Sequence, residues 1–292
     1  MNGDFFYPPR IFGAIPSQYA DLQTARVVIA PIPYDSTTDY KAGARDGPFA
    51  IIDASRNLEL YDEELDRETF QVGIHTLPEV QVLMSGPEQM VGRVYEIASQ
   101  FMRDDRLLVM LGGEHSLTVG MVRAFFEKKP NLSVLQLDAH ADLRDQYMGT
   151  KFSHACVMRR IVELCPAVQV GVRSLSYEEH AFIQQKGLRP FFAEAYLTKD
   201  EPIADVVSAL SSDVYVTIDL DVFDPSMMAA VGTPEPGGLG WYQVLRLLRA
   251  VAESRHVVGF DVVELCPREG PIACAFLAAK LVYKLIGYCT RG

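Results

Sequence analysis

The segment D-A-H-A-D, from Asp138 through His140 to Asp142, carries three potential metal ligands at alternate positions. It directly follows an apolar stretch, 132–137, that predicts a β-strand. Alternate residues of an extended chain project to the same side, so the two carboxylates and the imidazole between them would converge. Oxygen and imidazole ligands suit divalent metal ions. The spacing therefore indicates a metal site at the end of this strand.

A second acidic array closes the apolar stretch 214–220, where Asp219 and Asp221 again stand at alternate positions. Two carboxylates this close together at a strand end repel each other unless a cation lies between them. The alternative is that they cap a helix or form an Asx turn. Asp224, which precedes Pro225, fits a turn better than a metal site.

A histidine follows a third predicted strand, 106–111, after two glycines in the segment G-G-E-H-S. The glycines allow the sharp turn that would place His115 at the strand end. A lone histidine in such a position is commonly structural, but this one would stand beside two acid-rich strand ends. The candidate ligands that result are His115, Asp138, His140, Asp142, Asp219 and Asp221.

The candidate ligands comprise four carboxylates and two imidazoles. That is too much negative charge to bury around one divalent ion, but it suits two. Oxygen-rich sites with few imidazoles favour Mn²⁺, although sites of this kind also bind Zn²⁺, Fe²⁺ and Co²⁺. We therefore expect two Mn²⁺ ions per subunit.

Apolar segments rich in β-branched residues alternate with amphipathic stretches along the chain. Strands are predicted at 26–32, 106–111, 132–137, 167–170, 214–220 and 257–263, and helices at 86–104, 118–128, 176–186 and 240–253. This alternation predicts a three-layer α/β/α fold with a mostly parallel sheet. No linker or repeat divides the chain, so we expect a single domain over residues 1–292. Such sheets bind ligands at the carboxyl ends of their strands, where the candidate ligands lie.

The composition excludes several classes of function. A net charge of −11 and a pI near 5.0 argue against a nucleic-acid partner, which would need unbalanced lysines and arginines. The N-terminal segment resembles no signal peptide, and the longest apolar run, 272–289, is interrupted by Lys280 and Lys284. Five cysteines without C-x-x-C spacing suit buried thiols in a reducing compartment. We therefore expect a cytoplasmic protein with no membrane partner.

The ordered segments G-G-E-H-S, D-A-H-A-D and T-I-D-L-D-V-F-D-P resemble the metal-binding signatures of the arginase and agmatinase family of ureohydrolases. The resemblance covers about residues 27–288, and the segment G-T-P-E-P-G-G at 232–238 is similar to the agmatinase branch. It implies an arginase-like fold and hydrolysis of a guanidinium group to release urea. It also implies a homo-oligomer, either a trimer or a hexamer.

The same resemblance implies two metal positions bridged by Asp138 and Asp219. One ion would be held by His115, Asp138, Asp142 and Asp219. The other would be held by Asp138, His140, Asp219 and Asp221. A water shared by two such ions loses a proton near neutral pH and can attack the guanidinium carbon.

Three residues are expected to take part in catalysis. Asp142 belongs to the metal centre. By resemblance to the family, Glu264 binds the guanidinium through paired hydrogen bonds, and His154 passes a proton to the leaving amine. Two positions depart from the pattern: Ala155-Cys156 follows the histidine where many agmatinases have Gly-Thr, and Glu114 stands where many relatives have Asp. We interpret Glu114 as a residue that does not bind metal and either supports the site from outside the ligand set or is structural.

The loop 143–150 does not resemble the arginase loop that recognises the α-carboxylate and α-amine of arginine. We therefore expect a small cationic guanidino substrate, agmatine, which would give putrescine and urea. N1-aminopropylagmatine, which would give spermidine and urea, is the first alternative, because an acidic and aromatic loop could hold its longer tail. Guanidinobutyrate is the second, because Arg144 could bind a carboxylate.

Two alternatives belong to other classes of protein. A catalytically inactive regulatory homologue should have lost ligands, whereas this chain keeps a competent ligand at every candidate position. An amidohydrolase-like relative acting on an acetylated lysine or polyamine would be expected to use a histidine-rich, mononuclear zinc site. In this chain the candidate ligands include more carboxylates than imidazoles, which argues against that kind of site.

Overall fold

The computed structural model of the protein describes residues 10–198 and 202–290. Its β-strands are β1 (Val27–Ile32), β2 (Tyr61–Asp62), β3 (Arg67–Glu68), β4 (Ile74–Thr76), β5 (Leu107–Gly112), β6 (Leu132–Leu137), β7 (Ala167–Val172), β8 (Phe191–Phe192), β9 (Asp213–Asp219) and β10 (His256–Val263). Its α-helices are α1 (Gly47–Ser55), α2 (Pro87–Phe101), α3 (Thr118–Lys128), α4 (Val157–Val162), α5 (Tyr177–Lys186), α6 (Ala193–Thr198), α7 (Ile203–Ala209), α8 (Trp241–Ser254) and α9 (Ala273–Cys289).

Eight of these strands form one sheet in the order β4-β1-β5-β10-β9-β6-β7-β8, and β2 and β3 form a separate antiparallel pair. Every neighbouring pair in the large sheet is parallel. The mostly parallel sheet expected from the sequence is thereby confirmed. Parallel neighbours require crossover connections, and here helices supply them.

Side chains of the central strands alternate between two hydrophobic cores. In β1, Val27 and Ile29 pack in one core with residues of α1, α8 and α9, whereas Val28 packs in the other with residues of α2, α3 and α4. The alternation follows from the two-residue period of a strand. Helices therefore cover both faces of the sheet, and the predicted α/β/α layering is confirmed.

The predicted elements match the structure to within two residues at their ends, except that α2 ends at Phe101 and not at residue 104. Met102, the residue after α2, has an extended backbone that terminates the helix. The edge strands β4 and β8 and the helices α1, α4, α6, α7 and α9 were not predicted. Most of these elements are short, and a short segment gives too few residues to establish a period.

The apolar run 272–289 forms α9, whose side chains are mostly buried in the core. Lys284 is buried there, and its Nζ lies 2.8 Å from Asp62 Oδ1 and 2.6 Å from Glu64 Oε2. A buried ammonium is tolerated because these carboxylates neutralise it. No helix in the described part of the chain is long and apolar enough to cross a membrane.

All the candidate ligands follow strands that are neighbours in the sheet, because β5, β10, β9 and β6 lie side by side. Parallel strands end at the same edge, so the side chains that follow them meet there. Gly113, just after β5, is essential to this edge, since a Cβ on it would lie 2.0 Å from the carbonyl oxygen of Tyr34. The glycine lets the loop after β1 pack against the end of β5.

Candidate metal centre

His115 lies at the centre of a cluster of buried carboxylates. Its Nδ1 lies 3.1 Å from Asp138 Oδ2, 3.2 Å from Asp142 Oδ2 and 3.4 Å from Asp219 Oδ2. The side chains come from the ends of β5, β6 and β9. The structure thus brings these four predicted ligands together.

His140 lies in a second, adjoining group. Its Nδ1 is 2.8 Å from Asp221 Oδ2 and 3.6 Å from Asp138 Oδ1. Two sets of ligand atoms are close enough to hold an ion each: one from His115, Asp138 and Asp219, the other from Asp138, His140 and Asp221. Asp138 belongs to both sets, as a bridging ligand would. Asp219 belongs only to the first, so its bridging role stays a prediction.

A hydrogen-bond chain behind His115 fixes which ring nitrogen faces the carboxylates. Thr217 Oγ1 donates to Asp261 Oδ1 at 2.7 Å, so it can accept from His115 Nε2, which is 2.9 Å away. Tyr215 donates to the other oxygen of Asp261 at 2.7 Å. A histidine that donates from Nε2 keeps its lone pair on Nδ1.

The sequence interpretation missed this supporting chain, although both of its residues leave a signal. Thr217 alternates with Asp219 along β9 and so shares its face. Asp261 is a lone acid inside the apolar strand β10, where it is fully buried. A buried carboxylate within an apolar strand requires hydrogen-bond donors, and its presence points to a polar centre nearby.

These residues fit a pair of divalent cations. His115 Nδ1 is buried and makes no hydrogen bond with any described residue, although three carboxylate oxygens surround it. A lone pair that faces carboxylate oxygens is unfavourable unless a cation lies among them. The oxygen-rich donor set, with one imidazole in each group, suits hard or borderline divalent ions.

The pKa values of the acids reflect the same crowding of charge. Burial and the neighbouring Asp138 raise the pKa of Asp142 to about 7. Burial, with Asp221 and Asp138 beside it, raises the pKa of Asp219 well above its usual range. Burial opposes charge on His140, but Asp221 and Asp138 raise its pKa to about 12. Without a metal, the centre holds protons that a cation would displace.

Glu264 stands just beyond β10, and its side chain reaches the same centre. Its Oε1 accepts a hydrogen bond from the backbone N–H of His115 at 2.7 Å. Burial and the charge of Glu114 raise the pKa of Glu264 to about 8. Its φ of 66° and that of Asp142, 53°, lie in the left-handed region that side chains other than glycine rarely adopt. Backbone strain of this kind clusters at functional sites.

His154 begins a 3-10 helix, His154–Cys156, and its side chain lines the same cleft. Its Nδ1 lies 3.2 Å from Thr37 Oγ1 and 3.3 Å from Ser153 Oγ. Burial is the main cause that lowers the pKa of His154 to about 4. The ring is therefore neutral at physiological pH.

One cleft of about 260 Å³ is lined by five of the six candidate ligands, all except the fully buried Asp138, and by Glu264 and His154. Its lining also includes residues from the loop after β1 and the loop 143–150, among them Asp39, Arg144 and Tyr147, and the buried Glu179 of α5. Tyr147 donates a hydrogen bond to Asp39 across the mouth. A volume near the lower end for ligand pockets suits a small substrate.

Asp224 is a turn residue, as interpreted from the sequence. One carboxylate oxygen accepts from the backbone and hydroxyl of Ser226, and the other accepts from the backbone N–H groups of Gly237 and Gly238. Glu114 points away from the ligands, towards Ser36 and Thr37. The structure thus agrees with the structural interpretation of this residue.

We expect the metal-free protein to lose stability as pH rises from about 6.5 to 8.5. Glu264 and His140 have pKa values raised to about 8 and about 12, so in this range the folded chain holds protons that the unfolded chain has released. Stability falls with pH wherever the folded state binds more protons. The loss should be roughly 4 kcal/mol, or about 7 °C in melting temperature.

Thermal unfolding of chelator-treated protein across this pH range measures the effect, with protein reloaded with Mn²⁺ as the control. The loaded protein should melt higher and show little dependence on pH, because a cation keeps the carboxylates ionised. A metal-free melting temperature that stays constant or rises with pH would contradict the crowded, protonated centre.

Comparison with known proteins finds relatives in the arginase family. A sequence profile of the arginase family matches residues 25–287. An N(1)-aminopropylagmatine ureohydrolase from Synechocystis sp. is 40% identical over 93% of this chain and 90% of its own length. An agmatinase from Pyrococcus horikoshii is 38% identical over 93% and 94%. The crystal structure of an agmatine ureohydrolase from Thermoplasma volcanium superposes with a TM-score of 0.88 at 33% identity, covering 98% of this chain and 96% of that one.

Proposed function

The chain belongs to the arginase family, and from that premise we propose that it hydrolyses the guanidinium group of agmatine to putrescine and urea. The observation that carries the proposal is the pair of candidate ion groups that share Asp138 and open, with Glu264, into one cleft. Relatives named agmatinase or N(1)-aminopropylagmatine ureohydrolase support an enzyme acting on a guanidino compound.

We assign His115, Asp138, Asp142 and Asp219 to one Mn²⁺ ion, and Asp138, His140, Asp219 and Asp221 to the other. Two bound divalent cations supply a Lewis-acid pair that lowers the pKa of a shared water and makes it nucleophilic near neutral pH. The carboxylates balance the charge of the cations. The Thr217–Asp261 chain holds His115 with its lone pair towards the centre.

Two other side chains act on the substrate itself. Glu264 presents a carboxylate beside the ligands, where it binds the guanidinium N–H groups and orients the carbon for attack by water. His154 is neutral and lines the same cleft. It takes the proton released by the water and gives it to the nitrogen of the leaving amine as the C–N bond breaks.

The outer cleft favours a tail that ends in a cation. Asp39 lines it, and the positive charge of Arg144 is partly engaged, since its Nε lies 3.9 Å from Oε2 of the buried Glu179 and its guanidinium packs on the ring of Tyr147. A longer diamine tail could extend to Asp39 at the mouth. N1-aminopropylagmatine is therefore the second candidate substrate, and it is the one named for several of the relatives.

Urea release from a panel of guanidino compounds in added Mn²⁺ tests the proposal. The panel consists of agmatine, N1-aminopropylagmatine, guanidinobutyrate, guanidine and arginine. We expect kcat/KM for one of the two cationic polyamine precursors to exceed that for arginine and guanidinobutyrate by at least about 100-fold, because a carboxylate group would meet acidic residues in the cleft. Equal, negligible rates across the panel would remove the assignment and favour an inactive homologue.

Several expectations stay predictions. They are a single domain over residues 1–292, a homo-oligomer of three or six subunits, a cytoplasmic location and Mn²⁺ as the native ion. Each can be checked directly, by limited proteolysis, light scattering, cell fractionation and metal analysis of the purified protein.

A further inference from the structure

The hydroxyl of Thr37, a residue on the loop after β1, lies directly behind the ring of His154. Thr37 Oγ1 is 3.2 Å from His154 Nδ1, and it also accepts the backbone N–H of His154 at 3.0 Å. Thr37 is buried, with 8% of its surface exposed. Water is therefore a poor competitor for these contacts, and the protein's own groups decide the direction of each hydrogen bond.

The proton of this hydroxyl is directed to Glu114. Thr37 Oγ1 donates to Glu114 Oε1 at 2.9 Å. If the hydroxyl proton pointed to His154 instead, the Thr37 oxygen would face a carboxylate oxygen at this distance without a proton between them. A hydroxyl has one donor and two acceptor sites, so Thr37 Oγ1 is left to accept from both nitrogens of His154 that approach it.

Glu114 is held as an acceptor by every group around it. Its Oε2 accepts the backbone N–H groups of Ser36 at 2.5 Å and of Thr37 at 2.7 Å, and its Oε1 also accepts the Ser116 hydroxyl at 2.5 Å. The carboxylate is fully buried. Backbone N–H groups can only donate, so the carboxylate is fixed in place with an oxygen towards Thr37.

We propose that Glu114 and Thr37 are positioning residues that hold His154 in the Nδ1–H tautomer and leave Nε2 to carry the proton of the reaction. Nε2 makes no hydrogen bond with another residue in the described part of the chain. The inference rests on the proposed function for the role of that proton. In the reaction, water adds to the guanidinium carbon, its proton moves to Nε2, and Nε2 passes it to the departing amine nitrogen as the C–N bond breaks.

A matching arrangement, with the opposite ring nitrogen, holds His115, another histidine that lines the cleft. Thr217 donates to Asp261 and accepts from Nε2 of His115, which leaves Nδ1 for a cation. Thr37 donates to Glu114 and accepts from Nδ1 of His154, which leaves Nε2 for proton transfer. In both cases a buried carboxylate accepts the hydroxyl proton of a threonine, and the threonine oxygen then accepts from one ring nitrogen. The other ring nitrogen stays free.

Thr37→Val tests the proposal because it removes the hydroxyl and keeps the shape of the side chain. We expect kcat to fall about 10-fold, the cost of one hydrogen bond that orients the ring, with KM and metal content within about twofold of the wild type. Thr37→Ser keeps a hydroxyl and should restore kcat to within about threefold. Thr76→Val is the matched control, since the Thr76 hydroxyl accepts the backbone N–H of Phe12 at 3.0 Å, away from the cleft.

A second measurement does not depend on turnover. Long-range ¹H–¹⁵N correlation spectra of histidine-labelled protein loaded with diamagnetic Zn²⁺ report the tautomer, with the His154 signal assigned from His154→Asn. The wild type and Thr37→Ser should show Nδ1–H. Glu114→Gln should shift His154 towards Nε2–H, because the glutamine amide can donate to Thr37 and turn its hydroxyl proton to the ring.

An Nε2–H tautomer in the wild type would overturn the inference, as would equal kcat values for Thr37→Val and wild type. A wild-type protein that releases no urea from any guanidino compound overturns the proposed function instead. In that case the tautomer in the spectra still decides whether Glu114 and Thr37 position His154.

Discussion

Asp138→Ala is expected to abolish urea release, with kcat at least about 1,000-fold below the wild type. Asp138 is fully buried and is the one residue that belongs to both candidate ion groups. Its removal takes away the carboxylate that lies between the two histidines and leaves two cations with insufficient negative charge. Urea assays and metal analysis by mass spectrometry measure both consequences, and the bound metal should fall below two ions per subunit.

Asp219→Ala should behave in the same way if Asp219 bridges the ions. Asp224→Asn is the matched control, because Asp224 comes from the same acidic segment but binds only the turn formed by Ser226, Gly237 and Gly238. It should keep its metal and most of its activity, with a loss of about 1–2 kcal/mol in stability. Near-normal turnover by Asp138→Ala would exclude the dinuclear mechanism.

Glu264→Gln is expected to raise KM for guanidinium substrates by about 10- to 100-fold, with both metal ions retained. One oxygen of Glu264 accepts the backbone N–H of His115, a bond that the glutamine oxygen can keep. The amide group then takes the place of the second carboxylate oxygen. The amide N–H groups would face the N–H groups of the guanidinium, so no hydrogen bond could form there. The neutral side chain would also no longer attract the cation.

Steady-state kinetics on agmatine, together with metal analysis, separate the outcomes. Glu163→Gln makes the same chemical change on an exposed residue that pairs with Arg159 and Arg160, and it should leave KM within about twofold. Loss of metal in Glu264→Gln would reassign Glu264 to the metal centre. An unchanged KM with metal retained would remove it from substrate binding.

The strands that carry the candidate ligands could be predicted from the sequence alone. Apolar segments of the right length and composition predicted β5, β6, β9 and β10 to within two residues, because each is a buried parallel strand made mostly of apolar residues. The candidate ligands could be chosen because they stand within a few residues of those ends. The structure brings all six together in two adjoining groups, while their individual roles stay predictions.

Partners far apart in the chain could not be predicted in this way. The Thr217–Asp261 contact spans 44 residues and the Thr37–Glu114 contact spans 77. Asp39 reaches the mouth of the cleft from a loop that follows another strand, and it meets Tyr147 there. No periodicity or local motif specifies such pairs, because they form only when the order of strands in the sheet is known.

The sequence by itself determined which side chains can bind cations, that they follow parallel strands, and that the charge of the set suits two ions. These properties are local. The direction of alternate side chains along a strand and the type of each ligand depend only on a few adjacent residues. The tertiary structure decided that β5, β10, β9 and β6 are neighbours, which nitrogens of His115 and His154 stay free, and what lines the cleft. Packing and long-range hydrogen bonds set these features, and they exist only in the folded chain.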